Sequence, residues 1–419
     1  MRRWVAGLVA LSVATVACSD DDDSKGTSST TTEPPSALVH DGFEEAGLTV
    51  ERIEPTLDGE LIELSGSLFD LHAVGDVLVA AFSVPDREAN VVARSTDQGQ
   101  TWTRVNLPGA DDTELLDGEP ELAVLGDAVV AYAEDSSGGN EMPLWTTVDG
   151  DTWQGGLVAL SPDVSPHPDG GGELPDGRLI IPVVGEDGTF RMLTSEDDGA
   201  SWGEDACRPP AVQEDRSGGC EGPVRVGRGL WLHGQRISLD DGRTWKGPIT
   251  VHPARCGDDP GLNVEDDAGP ELSDVVVLAD GQWLGSVTDP TRCDVSDKTV
   301  SNLALSRDGQ RWEAVLPDPC GAAGGLSTVE GFSRPVPLGD GWLVQVRCLM
   351  SRNRDHTELY LLDHTGADPQ KVATMDAAKA SLTSHLLAPI AIGNIVVVPE
   401  VDKRRTHPLT ILHLRPAAD

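Results

Sequence analysis

Basic residues are scarce in this sequence. Lys and Arg together number 31 among 419 residues, whereas Asp and Glu number 70, and the formal net charge is −39. A field of this sign repels phosphate backbones and anionic lipid headgroups, so we expect no nucleic acid as a partner. General acidity suited to a salty habitat accounts for the charge better than a specific role with cations.

Long apolar runs and closely spaced cysteine pairs are also missing. The apolar run at residues 4–17 follows two arginines and is too short to span a bilayer, which is typical of an export signal. No CxxC pair occurs, so neither a zinc site nor a thioredoxin-like site is indicated. The GxSxG, HExxH and P-loop patterns are absent too, which argues against the enzyme classes that depend on them.

The residues after the apolar run favour a lipid anchor. The stretch 15–18 (TVAC) resembles a bacterial lipobox, in which Cys18 is lipidated and becomes the new N-terminus. The alternative is an ordinary cleaved signal with an incidental cysteine. We expect a lipoprotein signal peptide at 1–17, a disordered acidic and Thr-rich tether at 18–46, and a folded domain at 47–419 held outside the cell membrane. Without the signal, 29 basic and 70 acidic residues leave a charge of −41.

Six cysteines remain in the folded domain. An even number in an exported chain predicts three disulfides, although fifteen pairings are possible. Proximity in the sequence favours Cys207–Cys220, Cys256–Cys293 and Cys320–Cys348.

Short glycine turns recur along the chain in steps of 51, 51, 52, 52, 60 and 52 residues. They are centred on Gly75, Gly126, Gly177, Gly229, Gly281, Gly341 and Gly393. The apolar run after each turn predicts the second strand of a unit, at Val77–Val84, Ala128–Ala133, Leu179–Val184, Leu230–His233, Trp283–Val287, Trp342–Val346 and Ile395–Pro399. A period near fifty residues is typical of β-propeller blades. We therefore expect an all-β, seven-bladed β-propeller, with a six-bladed ring as the alternative.

A strand at residues 48–55 precedes the first unit, and the last unit has little room for an outer strand of its own. We expect this N-terminal strand to complete the last blade and close the ring.

A second motif of the form S-x-D-x-G-x-T-W follows the third strand of several units, in a longer or a shorter version. Its Asp and Trp residues are Asp97 and Trp102, Asp149 and Trp153, Asp197 and Trp202, Asp240 and Trp245, and Asp308 and Trp312. Asp and Gly favour a tight hairpin in which the carboxylate accepts backbone N–H bonds, and the Trp covers the hairpin with its apolar ring. These residues are therefore interpreted as structural staples, not as catalytic acids.

The five motifs resemble the Asp boxes of BNR-repeat, sialidase-like β-propellers and cover most of residues 66–320. The resemblance implies that the boxes lie on the rim, away from a functional face at the mouth of the central channel. Several charged residues fall on or just before the first strand of a unit, where they would face that mouth. These candidate ligand-binding residues are His72, Glu119, Glu121, His167, Glu173, Glu221, Arg225, Glu271, Glu330, Arg334 and His385.

The catalytic residues that a sialidase requires are not all found. Such an enzyme needs three arginines that grip a carboxylate, and a Tyr nucleophile activated by a Glu. Arg225 and Arg334 would supply two arginines, and the third is missing. The two tyrosines, Tyr132 and Tyr360, fall in the middle of predicted strands. In the stretch that resembles the sialidase-family motif containing this Glu, His167 occupies the position of the Glu.

We therefore expect non-catalytic surface recognition of a glycan or a protein by a monomer. The alternatives are a sialidase-like glycoside hydrolase and an assembly scaffold. No cofactor is expected, although the acidic loop with Asp258, Asp259 and residues 265–267 offers the oxygen ligands that calcium prefers.

Overall fold

A computed structural model of the protein describes residues 41–64, 68–84, 89–109, 120–133, 141–161, 164–166, 171–174, 176–185, 190–206, 224–227, 230–233, 236–238, 244–247, 249–252, 271–278, 280–289, 300–316, 320, 327–350, 356–376, 388–400, 407–408 and 410–417. These residues form one short helix and many β-strands, so the prediction of an all-β chain is confirmed. Among them no helix is long and apolar enough to cross a membrane.

The N-terminal part of the domain contains three sheets. In chain order, its elements are α1 (Asp41–Glu45), β1 (Leu48–Ile53), β2 (Thr56–Leu57), β3 (Glu60–Leu61), β4 (Glu63–Leu64), β5 (Leu68–Val74), β6 (Val77–Val84), β7 (Ala89–Ser95), β8 (Thr101–Arg104), β9 (Pro120–Leu125), β10 (Ala128–Ala133), β11 (Glu141–Thr147), β12 (Gln154–Ala159), β13 (Val164–Pro166), β14 (Gly172–Glu173), β15 (Leu179–Gly185), β16 (Phe190–Ser195) and β17 (Gly203–Ala206). The first sheet has the order β3-β2-β8-β7-β6-β5, the second β12-β11-β10-β9, and the third β13-β15-β16-β17 with β14 also on β15.

The C-terminal part continues the series. Its elements are β18 (Val224–Gly227), β19 (Leu230–His233), β20 (Arg236–Ser238), β21 (Thr250–His252), β22 (Glu271–Val277), β23 (Trp283–Asp289), β24 (Val300–Ser306), β25 (Arg311–Ala314), β26 (Ser327–Phe332), β27 (Val336–Leu338), β28 (Gly341–Met350), β29 (His356–Leu362), β30 (Gln370–Asp376), β31 (Ile390–Ile392), β32 (Ile395–Glu400), β33 (His407–Pro408) and β34 (Thr410–Pro416). The fourth sheet is β18-β19-β20, the fifth β21-β25-β24-β23-β22, and the sixth β26-β28-β29-β30 with β27 on β28.

Each sheet is built mainly from consecutive antiparallel strands joined by tight turns. Gly75, Gly126 and Gly393 have φ values of 56°, 66° and 59°, which lie in the left-handed region that glycine adopts without strain. In the sixth unit the positive φ belongs to Gly339 (63°), whereas the expected turn residue Gly341 begins β28. The turn prediction is therefore two residues late at that position.

The two ends of the domain meet in one sheet, called here the terminal sheet, with the order β1-β34-β32-β31. Leu48 lies opposite Pro416 and Ile53 opposite Ile411, in antiparallel register along the whole of β1. The strand predicted at residues 48–55 therefore pairs with the C-terminal strand. The short strands β4 and β33 form a second contact between the two ends.

The packed structure begins before the expected boundary at residue 47. Helix α1 lies within the stretch 18–46 assigned to the tether, and its Phe43 is only 1% exposed. The ring packs in one core cluster with side chains of the sixth and terminal sheets, among them Leu343 and Leu412. An aromatic side chain thus fastens residues 41–45 to the domain.

The apolar core is divided into clusters, each shared by two consecutive sheets. Leu122 and Trp145 of the second sheet pack with Val79 of the first. Other clusters join the second sheet to the third, the fourth to the fifth, the fifth to the sixth, and the sixth to the terminal sheet. The terminal sheet in turn shares a cluster with the first sheet, where Ile411 packs near Trp102. Strand β10 is buried along its whole length because the second sheet packs against the first sheet on one face and the third on the other.

Contacts between strands of neighbouring sheets follow the order of the sheets along the chain. They run from β5 to β9, β9 to β14, β14 to β18, β18 to β22, β24 to β26, β27 to β31, and β31 back to β5.

Candidate functional site

The motif turns share a hydrogen-bond scheme. In the first, the Ser95 hydroxyl accepts the Gly99 N–H at 2.8 Å, and the Asp97 carboxylate accepts the N–H and hydroxyl of Thr101 at 2.8 and 2.6 Å. Trp102 closes the turn by donating its Nε1–H to the Gly99 carbonyl at 2.9 Å. Asp197 repeats the full scheme, and Asp149 and Asp308 accept backbone N–H bonds in the shorter version. Both carboxylate oxygens of Asp97 and Asp197, and Oδ1 of Asp149 and Asp308, thus accept hydrogen bonds from donors of their own turns.

These hydrogen bonds lower the pKa values of the motif aspartates. Burial raises the pKa of Asp97, but the bonds from Thr101 and Ser95 outweigh it and the pKa is lowered overall. The Ser201 hydroxyl is the largest cause of the lowered pKa of Asp197. The pKa values of Asp149 and Asp308 are lowered as well. Since these groups titrate below the ordinary Asp value in the folded protein, their contribution to stability holds above about pH 4 and is lost as the pH falls further.

We expect Asp97→Ala to lower the free energy of unfolding by about 1–3 kcal/mol, because it removes the charged acceptor of two hydrogen bonds from Thr101. Urea titration measures the change, and Asp76→Ala, at an exposed position in the β5–β6 turn, is the control with an expected change under about 0.5 kcal/mol. Loss of ligand binding with unchanged stability would instead place Asp97 in a binding site.

The motif turns also contact the preceding sheet. The Gln98 carbonyl accepts a bond from His413 of the terminal sheet at 2.7 Å, and Gln154 of β12 donates to the Asp198 carbonyl at 2.9 Å. Arg94 of β7 forms an ion pair with Asp151 in the next sheet. The turns therefore join neighbouring sheets. The turn that follows β29 has a similar scheme, in which the Asp363 carboxylate accepts the N–H groups of Thr365 and Ala367.

His72, a predicted mouth residue, lies on the same face of β5 as Asp70, and together they hold Leu122 of β9. Asp70 Oδ2 accepts the Leu122 N–H at 2.9 Å, and His72 Nε2 lies 3.3 Å from the Leu122 carbonyl oxygen. A carbonyl only accepts, so Nε2 carries the proton. Asp70 is not among the predicted mouth residues, although its spacing of two residues from His72 places both on one face of the strand.

The positive charge of Arg334 affects the pKa of His72. Burial is the largest cause that lowers the pKa of His72 to about 4, the Leu122 carbonyl bond opposes it, and the positive charge of Arg334 lowers it further. Arg334 follows β26 in the sixth sheet, has an exposed side chain, and forms no salt bridge with the residues that the structure describes. Arg334 of the sixth sheet therefore acts on His72 of the first sheet through its charge, although the terminal sheet packs against both sheets.

The side chains of Glu121 and Glu173, two other predicted mouth residues, both contact residues of the second sheet. Glu121 lies opposite Tyr132 and accepts a hydrogen bond from its phenol. The Glu173 carboxylate lies over Gly126, where it would overlap a Cβ atom.

Both tyrosines of the chain are buried. Tyr132 is 4% exposed, and Tyr360 is 9% exposed and donates to Glu358 Oε2 at 2.7 Å. Each thus forms a Tyr–Glu pair, but each pair lies in a core cluster, since Tyr132 packs between the second and third sheets and Tyr360 between the fifth and sixth.

The remaining predicted residues are only partly described. Arg225, Glu271 and Glu330 lie on β18, β22 and β26, and nothing is described of their side chains. Trp245 is half-buried, and Trp153, Trp202 and Trp312 lie at their expected hairpins. The residues outside the described part are Cys18, Glu119, His167, Cys207, Cys220, Glu221, Asp240, Cys256, the acidic loop at 258–267, Cys293 and His385.

The disulfide Cys320–Cys348, one of the predicted pairs, lies beside the buried Glu358. The Glu358 carboxylate accepts the Cys320 N–H at 3.0 Å and the Lys371 ammonium at 3.1 Å, besides the Tyr360 hydroxyl. Burial raises the pKa of Glu358, but these bonds outweigh it and the pKa is lowered overall. The two sulfurs and the carboxylate lie within 4.8 Å of one another. Because the sulfurs are bonded to each other and Lys371 holds the carboxylate, the cluster braces the chain and does not suit a cation.

No protein-family model and no curated protein matches the chain. Among solved structures, it is similar to a protein of unknown function from Dyadobacter fermentans, with 14% identity over 88% of this chain and 99% of that chain and a TM-score of 0.36. An ulvan lyase is 10% identical over 88% of this chain and 96% of that chain, with a TM-score of 0.41. The sialidase of Trypanosoma rangeli is 12% identical over 87% of this chain and 59% of that chain, with a TM-score of 0.35. These values do not assign the chain to a family.

Proposed function

We propose that the sheets form a seven-bladed β-propeller, in which the terminal sheet is the seventh blade. Two observations support this architecture: the strand contacts run through seven consecutive sheets and return to β5, and β1 pairs with β34. In such a ring the innermost strands surround a channel, and His72 and Arg334 lie at its mouth.

We infer that this mouth is a recognition site for a carboxylate-bearing glycan, on a protein anchored outside the cell through Cys18. The observation that carries the proposal is the exposed Arg334, whose positive charge reaches His72 from another sheet. A guanidinium binds a carboxylate through two parallel hydrogen bonds. Physiological salt screens charges beyond about 8 Å, so a ligand carboxylate close to Arg334 is attracted by that guanidinium despite the negative charge of the whole protein.

Sialidase-type hydrolysis is the competing function, and the burial of both tyrosines argues against it. A Tyr nucleophile must reach the sugar, whereas Tyr132 and Tyr360 lie in core clusters between sheets. Their pairing with Glu121 and Glu358 is therefore a structural feature of the core.

A glycan array tests the proposal, with the purified full chain applied to sialylated, uronate-bearing and neutral glycans. We expect binding of acidic glycans without release of sugar, and a loss of affinity of at least tenfold in Arg334→Gln, since a charged hydrogen-bonded pair contributes about 1.5–3 kcal/mol. Arg311→Gln, at an exposed position on β25, is the control and retains full binding. Release of terminal sugar would establish a hydrolase or lyase, and silence on all glycans would favour a protein ligand.

A further inference from the structure

A buried histidine joins the terminal sheet to the first sheet. His413 lies on β34, between Glu51 of β1 and Val397 of β32, and its side chain is 0% exposed. Its Nε2 lies 2.7 Å from the carbonyl oxygen of Gln98, in the first motif turn and 315 residues away in the sequence. Because a carbonyl only accepts, Nε2–H is the donor of this bond. We call this contact the terminal joint.

The other ring nitrogen of His413, Nδ1, has no partner in the part of the chain that the structure describes. Nδ1 is buried and makes no hydrogen bond to any residue that the structure describes. A neutral ring suits this environment, because Nδ1 then needs no acceptor. A second proton would create a buried donor without an acceptor, together with a buried positive charge, and both are costly.

The charged groups around His413 do not relieve this cost. Burial is the largest cause and lowers the pKa of His413 overall. The bond to the Gln98 carbonyl and the charges of Glu51 and Asp97 favour the protonated ring, and Arg415 opposes it. Glu51 lies 3.4 Å from Arg415, and the Asp97 carboxylate is taken up by Thr101. The nearby carboxylates are therefore already paired with other groups.

We propose that His413 is an acid-sensitive latch. Protonation at Nδ1 leaves the Nε2–H bond to Gln98 in place but adds a buried charge and a buried donor without an acceptor, so the protonated ring favours a loosened terminal joint in which Nδ1 reaches water. Strand β1 pairs with the strand that carries His413, so opening loosens the N-terminal attachment of the domain. Since the folded pKa is lowered from the ordinary 6.5, the joint is fully stabilised above that value and weakens as the pH falls through the window below it. The motif aspartates lose their stabilising contribution only below about pH 4, so their titration is separated in pH from that of His413.

Hydrogen exchange of the full chain, read by mass spectrometry at pH 7.5 and 5.0 and corrected for intrinsic rates, tests the latch. We expect opening of β1 and β34 to increase by up to about thirtyfold at pH 5.0 in the wild type, since pH 5.0 lies 1.5 units below the ordinary value of 6.5. In His413→Gln the side-chain amide can donate to Gln98 but does not titrate, so we expect no acid-induced increase. His364→Gln, at an exposed turn position, is the matched control and behaves like the wild type.

Equal acid sensitivity in His413→Gln and the wild type would overturn the proposal. The wild type supplies an independent test if that variant does not fold. The buried strands β10 and β11 contain no histidine and should keep their protection at pH 5.0. Simultaneous loss of protection in β10, β11 and β34 would show general unfolding and rule out a local latch.

Discussion

Phe43→Ala is expected to lower the free energy of unfolding by about 3–5 kcal/mol, as for other buried aromatic side chains. The ring is 1% exposed and packs against the sixth and terminal sheets in the same cluster as Leu343, Leu359 and Leu412. Removing it leaves a cavity between two sheets that cannot collapse without shifting both. Helix α1 contacts β30 and β1, so we also expect faster hydrogen exchange in residues 48–53.

Urea unfolding of the full chain measures this change, and Glu44→Ala, exposed on the same helix, is the control with an expected change under about 0.5 kcal/mol. A change under about 1 kcal/mol in Phe43→Ala would mean that residues 41–45 do not dock, and the boundary at residue 47 would stand.

Gly150→Ala is expected to cost about 2–5 kcal/mol. Gly150 has a φ of 74°, which strains any residue with a Cβ by about 1–3 kcal/mol. A Cβ would also lie 2.6 and 2.9 Å from Cγ1 and Cβ of Val77 in the preceding sheet, and such overpacking adds about 1–3 kcal/mol. The motif turn of the second sheet thus has no room for a methyl group at its contact with the first.

Gly281→Ala separates the two causes, because Gly281 has a φ of 82° but no atom lies within 4 Å of its would-be Cβ. We expect only the conformational cost of about 1–3 kcal/mol there. Val77→Ala combined with Gly150→Ala should cost less than the sum of the single changes, since it removes one of the overlapping atoms. Equal costs for Gly150→Ala and Gly281→Ala, with additive behaviour of the double variant, would contradict the close contact between the sheets.

The strands could be predicted from the sequence because apolar runs and glycine turns are local signals. The predicted second strands Val77–Val84, Ala128–Ala133 and Leu230–His233 coincide with β6, β10 and β19. The pairing of the N-terminal strand could be inferred because the last unit had no room for an outer strand. The Asp and Gly of each motif fix a hairpin within eight residues, so their geometry needs no distant partner.

The contacts between sheets could not be predicted, because they depend on which side chains meet across the fold. Phe43 stands outside the repeats, and nothing local distinguishes it from a residue of the tether. His72 was expected to face a ligand, whereas its Nε2 is engaged with the Leu122 carbonyl. Charge near a predicted first strand indicates a channel mouth, but it does not distinguish Arg334, which is exposed, from Glu121, which is bonded to Tyr132.

A covalent link between the two ends of the domain tests whether β1 and β34 complete one blade. Thr49 and Arg415 lie directly opposite each other and both are accessible, so Thr49→Cys with Arg415→Cys brings two thiols within disulfide distance. We predict an intramolecular disulfide between these positions in most molecules, identified by peptide mapping without reduction. Val50→Cys with Arg415→Cys, where neighbouring side chains point to opposite faces, should not cross-link. Failure of the Thr49–Arg415 pair to form a bond, or formation of it only between molecules, would contradict the closed ring.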